Sequence, residues 1–393
     1  MKILIANLGS TSFKYRLFEM SDTNATLLAT GGFERVTEYT PCIEEMLGAL
    51  VGEGHLQSGE DLDAVGFKTV LGKDLSGCVK ADDRVLEALD GFKEVAPAHN
   101  PAYVEGIRCF QKMLPEVTRV ALFETAFYQW VSLPASTYAI PKAWRDLGIR
   151  RYGFHGASHK FIAERTADML GNEAVADRVR GLYVNGPGEY TGDPVRVISC
   201  HLGGSSSVAG IENGVCIGAS MGFSPQSGLP QNNRVGDLDS MAIPYVCKML
   251  GITVEEAERQ LNKESGLLGL SGVSNDARDI EDAVAAGNPD AQLAMDVLLD
   301  SIRHWAGSFF FKMGGAEVIS FTAGMGENDP VLRAAVCAGL EGLGVQIDAE
   351  ANAKTIRGAE GIISAPESKI KVVVIPANEE LVIAREVYRN IQS

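Results

Sequence analysis

Two segments of the chain share one pattern: an apolar strand, a short loop of glycine and hydroxyl residues, and a second, alternating strand. The first copy covers residues 3–18 with the loop NLGSTS at 7–12, and the second covers residues 197–211 with HLGGSS at 201–206. On the first loop alone, a plain turn is the better explanation, because glycine and serine are common in turns. Two copies, one near the start of each half, predict a duplicated fold.

Both loops also suit a negatively charged ligand. Small residues let backbone N–H groups point at an anion, hydroxyl groups add donors, and Lys14 adds a positive charge after the first loop. A ligand between the two halves would receive donors from both loops, an arrangement that suits the phosphates of a nucleotide. The alternative is that Lys14 is an ordinary solvated lysine.

The length and composition indicate a two-domain protein of the α/β class. At 393 residues the chain exceeds one ordinary domain. Strand hairpins followed by alternating strands and helices in each half favour mixed sheets. The formal net charge of −16 argues against nucleic acid and anionic membranes as partners.

The sequence also favours a cytoplasmic protein. It has no run of about 18 apolar residues that would form a membrane helix. Its first residues lack the apolar segment of a signal peptide. The 7 cysteines are scattered without a CxxC motif, which is typical of reduced thiols.

Other segments are distinguished by their position or composition. Glu124 follows an apolar strand, where α/β proteins often place functional groups. Residues 172–195 are rich in glycine and proline and are predicted to be an exposed insertion. Residues 220–240 are nearly all glycine, proline, serine and asparagine, which predicts a long functional loop carrying Arg234 near its end. Helices are predicted over 159–170 and 380–391.

Eight motifs in this order resemble the acetate kinase family of short-chain carboxylate kinases, over nearly the whole chain. They are NxGSxSxK at 7–14, HNP at 99–101, RRYGFHGxSH at 150–159, CHLG at 200–203, SMGFxPxxGL at 220–229, NKxSGxxGxSG at 262–272, FTAGxGEN at 321–328 and NEEL at 378–381. The resemblance implies the fold of the actin and sugar kinase superfamily, two ribonuclease-H-like domains with a nucleotide cleft between them. These would comprise residues 1–148 with 381–393, and residues 149–380 as the nucleotide-binding and dimer domain.

The resemblance also implies an activity, the reversible transfer of a phosphoryl group from ATP to a short-chain carboxylate, with acetate as the first choice. The enzyme would be a homodimer that needs Mg²⁺ or Mn²⁺. Catalytic roles would fall on Glu124, on His155 as a donor to the equatorial oxygens, and on Arg234 as the stabiliser of the transferring phosphoryl group. Asn7 and Glu379 would hold the metal, consistent with its preference for hard oxygen ligands.

Binding residues are implied in the same way. The carboxylate would lie against Lys68, Val70, Ala98, Phe154 and Pro225. ATP or ADP would lie against four segments, which contribute Ser10, Ser12 and Lys14; His201, Leu202, Gly203, Gly204 and Ser205; Asp276, Ala277 and Arg278; and Gly324, Met325, Gly326, Glu327 and Asn328.

The chain departs from the family pattern at several of these positions. Lys68 stands where the family has an arginine, Glu124 where it has an aspartate, Gly204 where it has an asparagine, and Ala98 where it has a leucine. The alternative is therefore a catalytically weakened nucleotide-binding protein of the same fold, with a regulatory or scaffold role. The joint presence of Arg234 and His155 favours the enzyme, because a scaffold needs no transition-state groups.

Overall fold

The computed structural model describes residues 1–97 and 99–393, and its first half is built on a six-stranded sheet. The strand order is β3-β2-β1-β4-β6-β5. β1, β2 and β3 are antiparallel neighbours, β4 and β6 continue parallel to β1, and β5 is antiparallel to β6. The strands are β1 (Lys2–Gly9), β2 (Ser12–Met20), β3 (Ala25–Glu34), β4 (Ala64–Thr69), β5 (Cys78–Lys80) and β6 (Thr118–Phe123).

The second half repeats this topology in a second six-stranded sheet of order β11-β12-β10-β7-β8-β9. Here β7, β8 and β9 are the antiparallel neighbours, β10 and β12 run parallel to β7, and β11 is antiparallel to β12. The strands are β7 (Arg196–Leu202), β8 (Ser206–Glu212), β9 (Val215–Ala219), β10 (Val318–Thr322), β11 (Gly361–Ile362) and β12 (Lys371–Val374). The duplicated fold predicted from the repeat is confirmed.

Helices connect and cover the strands of both sheets. They are α1 (Tyr39–Gly52), α2 (Asp83–Gly91), α3 (Asn100–Met113), α4 (Leu133–Ser136), α5 (Lys142–Asp146), α6 (Gly156–Met169), α7 (Glu173–Asn185), α8 (Ala242–Leu250), α9 (Val254–Lys263), α10 (Gly266–Ser271), α11 (Ala277–Ala285), α12 (Pro289–Met313), α13 (Ala323–Asn328), α14 (Pro330–Cys337), α15 (Ala349–Lys354) and α16 (Glu379–Gln392). Within the described chain, none of them is long and apolar enough to cross a membrane.

The exposed insertion predicted over residues 172–195 is wrong for its first part, which forms α7. The Asn172 side chain caps this helix by accepting the N–H of Val175 at 3.0 Å. Val175, Val179 and Leu182 lie at helical spacing and are fully buried. Only the part after Asn185, where Gly186 and Gly188 have positive φ, lacks regular structure. The long loop between β9 and α8 contains no helix or strand, as predicted.

The last helix, α16, packs on the first sheet although it follows the second one in sequence. Val382, Ile383 and Val387 are buried in the same cluster as the strands of the first sheet. Gly66 on β4 allows this approach, because a Cβ there would lie 2.8 Å from the Val387 side chain. The same helix contacts α6, so it joins elements from both halves of the chain.

Candidate active site

Backbone hydrogen bonds join three segments at the ends of β4 and β6 and at the start of α6. The Glu124 N–H donates to the Thr69 carbonyl at 2.8 Å, and the Gly156 N–H donates to the Glu124 carbonyl at 3.0 Å. A Cβ at position 156 would lie 2.3 Å from that carbonyl oxygen, so the contact requires glycine. These bonds place the candidate residues Lys68, Glu124 and His155 on adjoining segments at the strand ends, where α/β proteins usually have their sites.

Lys68 lies between two carboxylates from distant parts of the chain. Its Nζ lies 3.0 Å from Oε1 of Glu124 and donates a hydrogen bond to Glu379, at the first residue of α16. Burial raises the pKa of Glu124, Lys68 opposes this, and Glu379 adds to it. Burial also disfavours ionised Glu379, but the charge of Lys68, the neighbouring His201 and the hydrogen bond from Lys68 together outweigh burial and lower the pKa of Glu379. The two carboxylates are therefore not equivalent.

Both carboxylate oxygens of Glu124 are buried, and neither accepts a hydrogen bond from the residues that the structure describes. Lys68 therefore forms an ion pair with Glu124 but leaves acceptor positions on the Glu124 carboxylate unfilled. A buried carboxylate in this state can still accept from a ligand or take part in binding a cation.

Two histidines from different elements stack in the same region. The ring centroids of His155 and His201 are 4.1 Å apart with an interplanar angle of 22°. His155 caps the start of α6 with φ of 60°, a left-handed conformation that non-glycine residues adopt rarely and often at functional sites. Nδ1 of His201 is hydrogen-bonded to Oγ of Ser158 at 2.8 Å.

Both histidines are uncharged near neutral pH. Burial is the main cause of the lowered pKa of His155, with further lowering by the neighbouring histidines, Lys68 and Arg234. Burial lowers the pKa of His201 to about 4, with Glu379 opposing this and Lys68 adding to it. The site therefore presents neutral imidazoles beside the charges of Lys68 and Arg234.

Arg234 lies on the long loop and is half-buried. Its Nη1 donates to Oε1 of Gln231 at 3.4 Å, and Oε1 also accepts from Oγ of Ser205 at 2.8 Å. Among the described residues it forms no salt bridge with a carboxylate within 4.0 Å, which is unusual for a half-buried arginine in a chain of net charge −16. This guanidinium is therefore available to an anion.

The structure brings two of the predicted nucleotide segments together. A Cβ at Gly203 would lie 3.4 Å from the Cβ of Ala323, the residue that precedes Gly324. The loop of Gly203, Gly204 and Ser205 is joined in turn to the long loop, because the N–H of Asn232 donates to the carbonyl of Gly204 at 3.2 Å. These contacts place the glycine loop between Arg234 and the start of α13.

Glu327 and Asn328 organise this region through internal contacts. Oε1 of Glu327 accepts the N–H of Ala323 at 2.8 Å and the N–H of Ala377 at 2.9 Å. It thereby ties the nucleotide segment to the loop that leads into Glu379. Asn328 donates from its side chain to the carbonyl of Gly324 at 2.9 Å. Met325 and Gly326, between them, are buried.

The segment of Asp276, Ala277 and Arg278 begins α11. The Asp276 side chain accepts the N–H of Arg278 at 3.0 Å and forms an ion pair with its guanidinium. Ala277 is buried in the core of the second half together with Leu202. Among the described residues, no backbone hydrogen bond joins this segment to Gly203.

The first loop lies at the turn between β1 and β2. Gly9 pairs with Ser12, so Ser10 lies in the tight turn, and Asn7 pairs directly with Lys14 on the neighbouring strand. Lys14 is largely exposed and lies 3.7 Å from Glu34. The hydroxyl of Tyr103 donates to Oδ1 of Asn7 at 3.1 Å. Sequence reasoning missed Tyr103, since it comes from α3 and has no motif of its own.

The substrate-side residues are placed only in part. Val70 and Phe154 are buried in the same apolar cluster, and Pro225 is half-buried on the long loop. Ala98 lies outside the described residues. Sequence reasoning also missed Gln231, which contacts Pro225 and Arg234 and is almost fully buried. The sequence gives no sign that a polar loop residue such as Gln231 is buried, because its burial depends on how the loop folds.

The donor set for a divalent metal consists of oxygen atoms. In residues 1–97 and 99–393, no group of three or more His, Cys, Asp or Glu side chains is arranged to hold a metal. Asn7, Glu379 and the unsatisfied carboxylate of Glu124 offer amide and carboxylate oxygens, the ligands that Mg²⁺ takes when it keeps several waters and binds phosphate as well. These residues fit such a metal.

The fold and the site together define a class of enzyme. Two α/β halves of the same topology contribute two cations, neutral imidazoles and a glycine loop to one region, and positive charge and positioning are the main means by which proteins catalyse phosphoryl transfer. The sequence matches the model of the Acetokinase family over residues 32–385.

Comparisons with individual proteins agree with this match. An acetate kinase from Geobacillus sp. (strain WCH70) is 40% identical over 410 residues, which cover 99% of this chain and 98% of that protein. The structure of Porphyromonas gingivalis acetate kinase matches with a TM-score of 0.88, 34% identity and 99% coverage of both chains. A propionate kinase from Francisella tularensis subsp. tularensis SCHU S4 matches with a TM-score of 0.83, 30% identity and 99% coverage of both chains.

The chain therefore belongs to the acetokinase family, and it is a phosphotransferase whose acceptor is a carboxyl group. The family resemblance and the two-half fold predicted from the sequence are confirmed. The comparisons do not favour the regulatory or scaffold alternative.

Proposed function

We propose that the protein phosphorylates a short-chain carboxylate with ATP to give an acyl phosphate and ADP, reversibly and by direct in-line transfer. Acetate is the first choice by family resemblance, and propionate and butyrate are the further candidate substrates. The observation that carries the proposal is Arg234, half-buried, without a carboxylate partner among the described residues, and close enough to His155 to lower its pKa. A guanidinium held in this way suits the charge of a transferring phosphoryl group.

In this reaction one carboxylate oxygen forms a bond to the γ-phosphorus, and the bond to the β–γ bridging oxygen breaks as ADP leaves. The nucleophile is already an anion, so no proton has to be removed from it. Catalysis then consists of positioning and of neutralising negative charge. Lys68 would hold the acceptor carboxylate, while Arg234 and His155 would contact the phosphoryl oxygens.

Glu124 acts in this proposal by fixing the position of Lys68. The 3.0 Å ion pair holds the ammonium near the end of β4, from where it would contact the substrate carboxylate. Val70, Phe154 and Pro225, with Ala98, would form the apolar wall around the acyl chain. The apolar wall selects the length of the acid, and Lys68 selects its charge.

The nucleotide would be bound by segments from both halves. Ser10, Ser12 and Lys14 would border its phosphates from the first half, and residues 201–205 from the second. Residues 276–278 and 324–328 would hold the rest of the nucleotide. In support, Gly203 packs against the start of α13, so two of these segments already form one surface.

Asn7 and Glu379 would hold Mg²⁺ or Mn²⁺. Such an ion would supply positive charge to the phosphate oxygens of the nucleotide. Tyr103 orients the Asn7 side chain through its hydroxyl, and Lys68 keeps Glu379 ionised, so both residues are prepared for this role.

The proposal extends to assembly and location. The two domains would comprise residues 1–148 with 381–393, and residues 149–380. The second would form a homodimer through the face of α8, where Met241, Tyr245, Met249 and Leu250 are between 61% and 70% exposed. Seven free thiols are consistent with the cytoplasm. Light scattering at micromolar concentration tests the dimer, and a monomer would reject it.

A hydroxylamine trap tests the activity directly, because it converts an acyl phosphate into a hydroxamate, which gives a coloured complex with ferric iron. The protein is incubated with ATP, Mg²⁺ and linear acids of one to five carbons, and ADP is measured in parallel. Hydroxamate that requires both ATP and an acid is expected. ADP without hydroxamate would mean hydrolysis alone and would reject the carboxylate as the acceptor.

A further inference from the structure

A chain of three hydrogen bonds runs from the core to His155. Oγ of Ser199 is bonded to Nδ1 of His159 at 2.8 Å, and Nε2 of His159 is bonded to Oγ of Ser207 at 2.9 Å. Oγ of Ser207 is bonded in turn to Nδ1 of His155 at 2.8 Å. Ser199, His159 and Ser207 are each fully buried, while His155 is only half-buried.

The periodicity of the elements explains why these side chains meet. Ser199 and His201 are two residues apart on β7, so they share a face of the sheet, and Ser207 on β8 pairs directly with His201 on that same face. His155 and His159 are four residues apart at the start of α6, which packs on β7. The helix therefore lays two histidines over a row of sheet hydroxyls.

The direction of these bonds follows from the number of hydrogens available. Burial lowers the pKa of both His155 and His159, so each neutral ring carries one N–H. Each serine has one O–H. If Ser199 donates to His159, then His159 donates to Ser207, and Ser207 donates to Nδ1 of His155. Every buried hydrogen is then paired.

The reverse direction leaves a donor without an acceptor. His155 would donate to Ser207, Ser207 to His159, and His159 to Ser199, whose own O–H has no other partner among the described residues. If both histidines donated to Ser207, the O–H of Ser207 would likewise have no acceptor. A buried donor without an acceptor is costly, so the first direction is favoured.

We propose that Ser199, His159 and Ser207 are positioning residues that hold His155 as the tautomer protonated at Nε2. This inference rests on the proposed function, in which His155 contacts phosphoryl oxygens. Those oxygens only accept hydrogen bonds, so the histidine must offer an N–H. Nε2 of His155 makes no hydrogen bond to the described residues. The relay thus makes a neutral ring a fixed donor without giving it a charge.

Nitrogen NMR of the full-length protein with ¹⁵N-labelled histidine rings tests the proposal without substrate. The shifts of the two ring nitrogens distinguish the tautomers, and a His→Gln variant assigns each of the 6 histidines. For His155 we expect a protonated Nε2 and an unprotonated Nδ1. A proton on Nδ1, or fast exchange between the two forms in the unaltered protein, would overturn the proposal.

Two variants separate the relay from a purely structural role. Ser207→Ala removes the donor to His155. Ser199→Ala removes the first donor of the hydrogen-bond relay, which is separated from His155 by His159 and Ser207. Both variants should give a mixture of the two His155 tautomers. They should also lower kcat by about tenfold and change KM less, a loss of the size seen when the orienting partner of a metal-ligating histidine is removed. An unchanged His155 spectrum in both variants would reject the relay.

Ser158→Ala is the matched control, since it removes a serine hydroxyl bonded to His201 from the same region. It should alter the spectrum of His201 and leave the tautomer of His155 unchanged. Because the tautomer is read in the free protein, its result is independent of the hydroxamate assay. The relay and the proposed activity can therefore fail separately.

Discussion

Nζ of Lys68 lies 3.0 Å from Oε1 of Glu124, and both side chains are mostly buried. The family pattern has an arginine and an aspartate at these two positions. Lysine is shorter than arginine and lacks its fork, while glutamate is one methylene longer than aspartate. The shorter cation and the longer carboxylate compensate in length. We therefore interpret the two departures as the replacement of one ion pair by another.

We expect the substitutions Lys68→Arg and Glu124→Asp to depend on one another. Lys68→Arg alone crowds a buried site, and Glu124→Asp alone leaves the pair too far apart. Each should lower kcat/KM for the carboxylate, and the double variant should recover most of the loss, with a coupling of about 0.5–3 kcal/mol. Steady-state kinetics of the four proteins measure it. Additive losses would show that the two positions act independently.

Arg234→Ala should lower kcat far more than it weakens ATP binding. The guanidinium has no carboxylate partner among the described residues, so its charge is free for the charge that moves in the transition state. Loss of such a group typically costs about 10²–10³ in rate. Arg259→Ala is the control, because Arg259 is an exposed arginine paired with Glu256 and Glu264. Near-normal turnover of Arg234→Ala would remove it from the mechanism.

The buried histidines should make the protein less stable in mild acid. Burial lowers the pKa of His159, and it lowers that of His201 to about 4, while an unfolded histidine titrates near 6.5. Below pH ~6.5 the unfolded chain therefore takes up protons that the folded chain does not. This contribution to the free energy of unfolding is fully present above pH ~6.5. As the pH falls below ~6.5, the free energy of unfolding decreases by about 1.4 kcal/mol per pH unit for each such histidine.

Urea unfolding between pH 7.0 and 5.5 measures this slope before most carboxylates titrate. His155 and His201 also lie in this cluster, and His155 faces Lys68 and Arg234 as well. His159→Gln should reduce the slope by the share of one histidine, whatever it does to stability at pH 7. A slope equal to that of the unaltered protein would show that His159 is not buried in its neutral form.

A second buried ion pair joins the helices that carry His155 and Glu379. Nζ of Lys160 on α6 lies 2.7 Å from Oε1 of Glu386 on α16, and both are fully buried. Glu386 has another partner in Arg389 at 2.6 Å, whereas no further carboxylate pairs with Lys160 among the described residues. Replacing Lys160 and replacing Glu386 should therefore not have the same effect on stability.

Glu386→Leu should therefore destabilise the protein more than Lys160→Met. The first leaves a buried ammonium without a carboxylate, which costs about 3–5 kcal/mol, while the second leaves Glu386 paired with Arg389. The double variant should be close to Lys160→Met alone. Denaturant unfolding of the three variants decides it. Equal losses in the two single variants would show that Arg389 does not compensate.

Much of the fold could be predicted from the sequence because the repeat is local. Each strand–loop–strand copy lies within about twenty residues, and its hydrophobic pattern sets both strands and the turn. Helix α7 was missed because the glycines and prolines after Asn185 dominated the interpretation of a region whose first part has helical spacing. Strand β5 is only three residues long and pairs through tertiary contact.

The sequence names candidate residues for the site, but it does not show which of them contact one another. Glu379 lies in the NEEL motif and Lys68 is identified by its place in the family pattern, but their hydrogen bond spans 311 positions in the chain, a separation that no local pattern encodes. The same holds for Tyr103 with Asn7 and for Ser207 with His155. Glu327 lies in a predicted nucleotide segment, but its carboxylate bonds two backbone N–H groups, which a motif cannot show.

In the proposed function, the preferred acid would depend on the apolar wall around the acyl chain. By the family pattern Ala98 would stand in this wall in place of a leucine, and its shorter side chain would remove roughly three carbons, enough for one or two methylenes worth about 0.8 kcal/mol each when buried. Lys68 would hold the substrate carboxylate by charge with less directional control than arginine, so a larger acid could tilt and keep the contact. The opposing hypothesis is that Leu71, which follows Val70 and is almost fully buried, would refill the space.

We expect propionate or butyrate to be used at least as well as acetate, and kcat/KM for the three acids measures this. Ala98→Leu should shift the preference towards acetate, because it restores the missing wall without changing Lys68. Val331→Leu, at a position 77% exposed at the start of α14, controls for an added methylene elsewhere on the protein. A preference for acetate of more than about tenfold, or 1.4 kcal/mol, in the unaltered protein would show that the space is refilled.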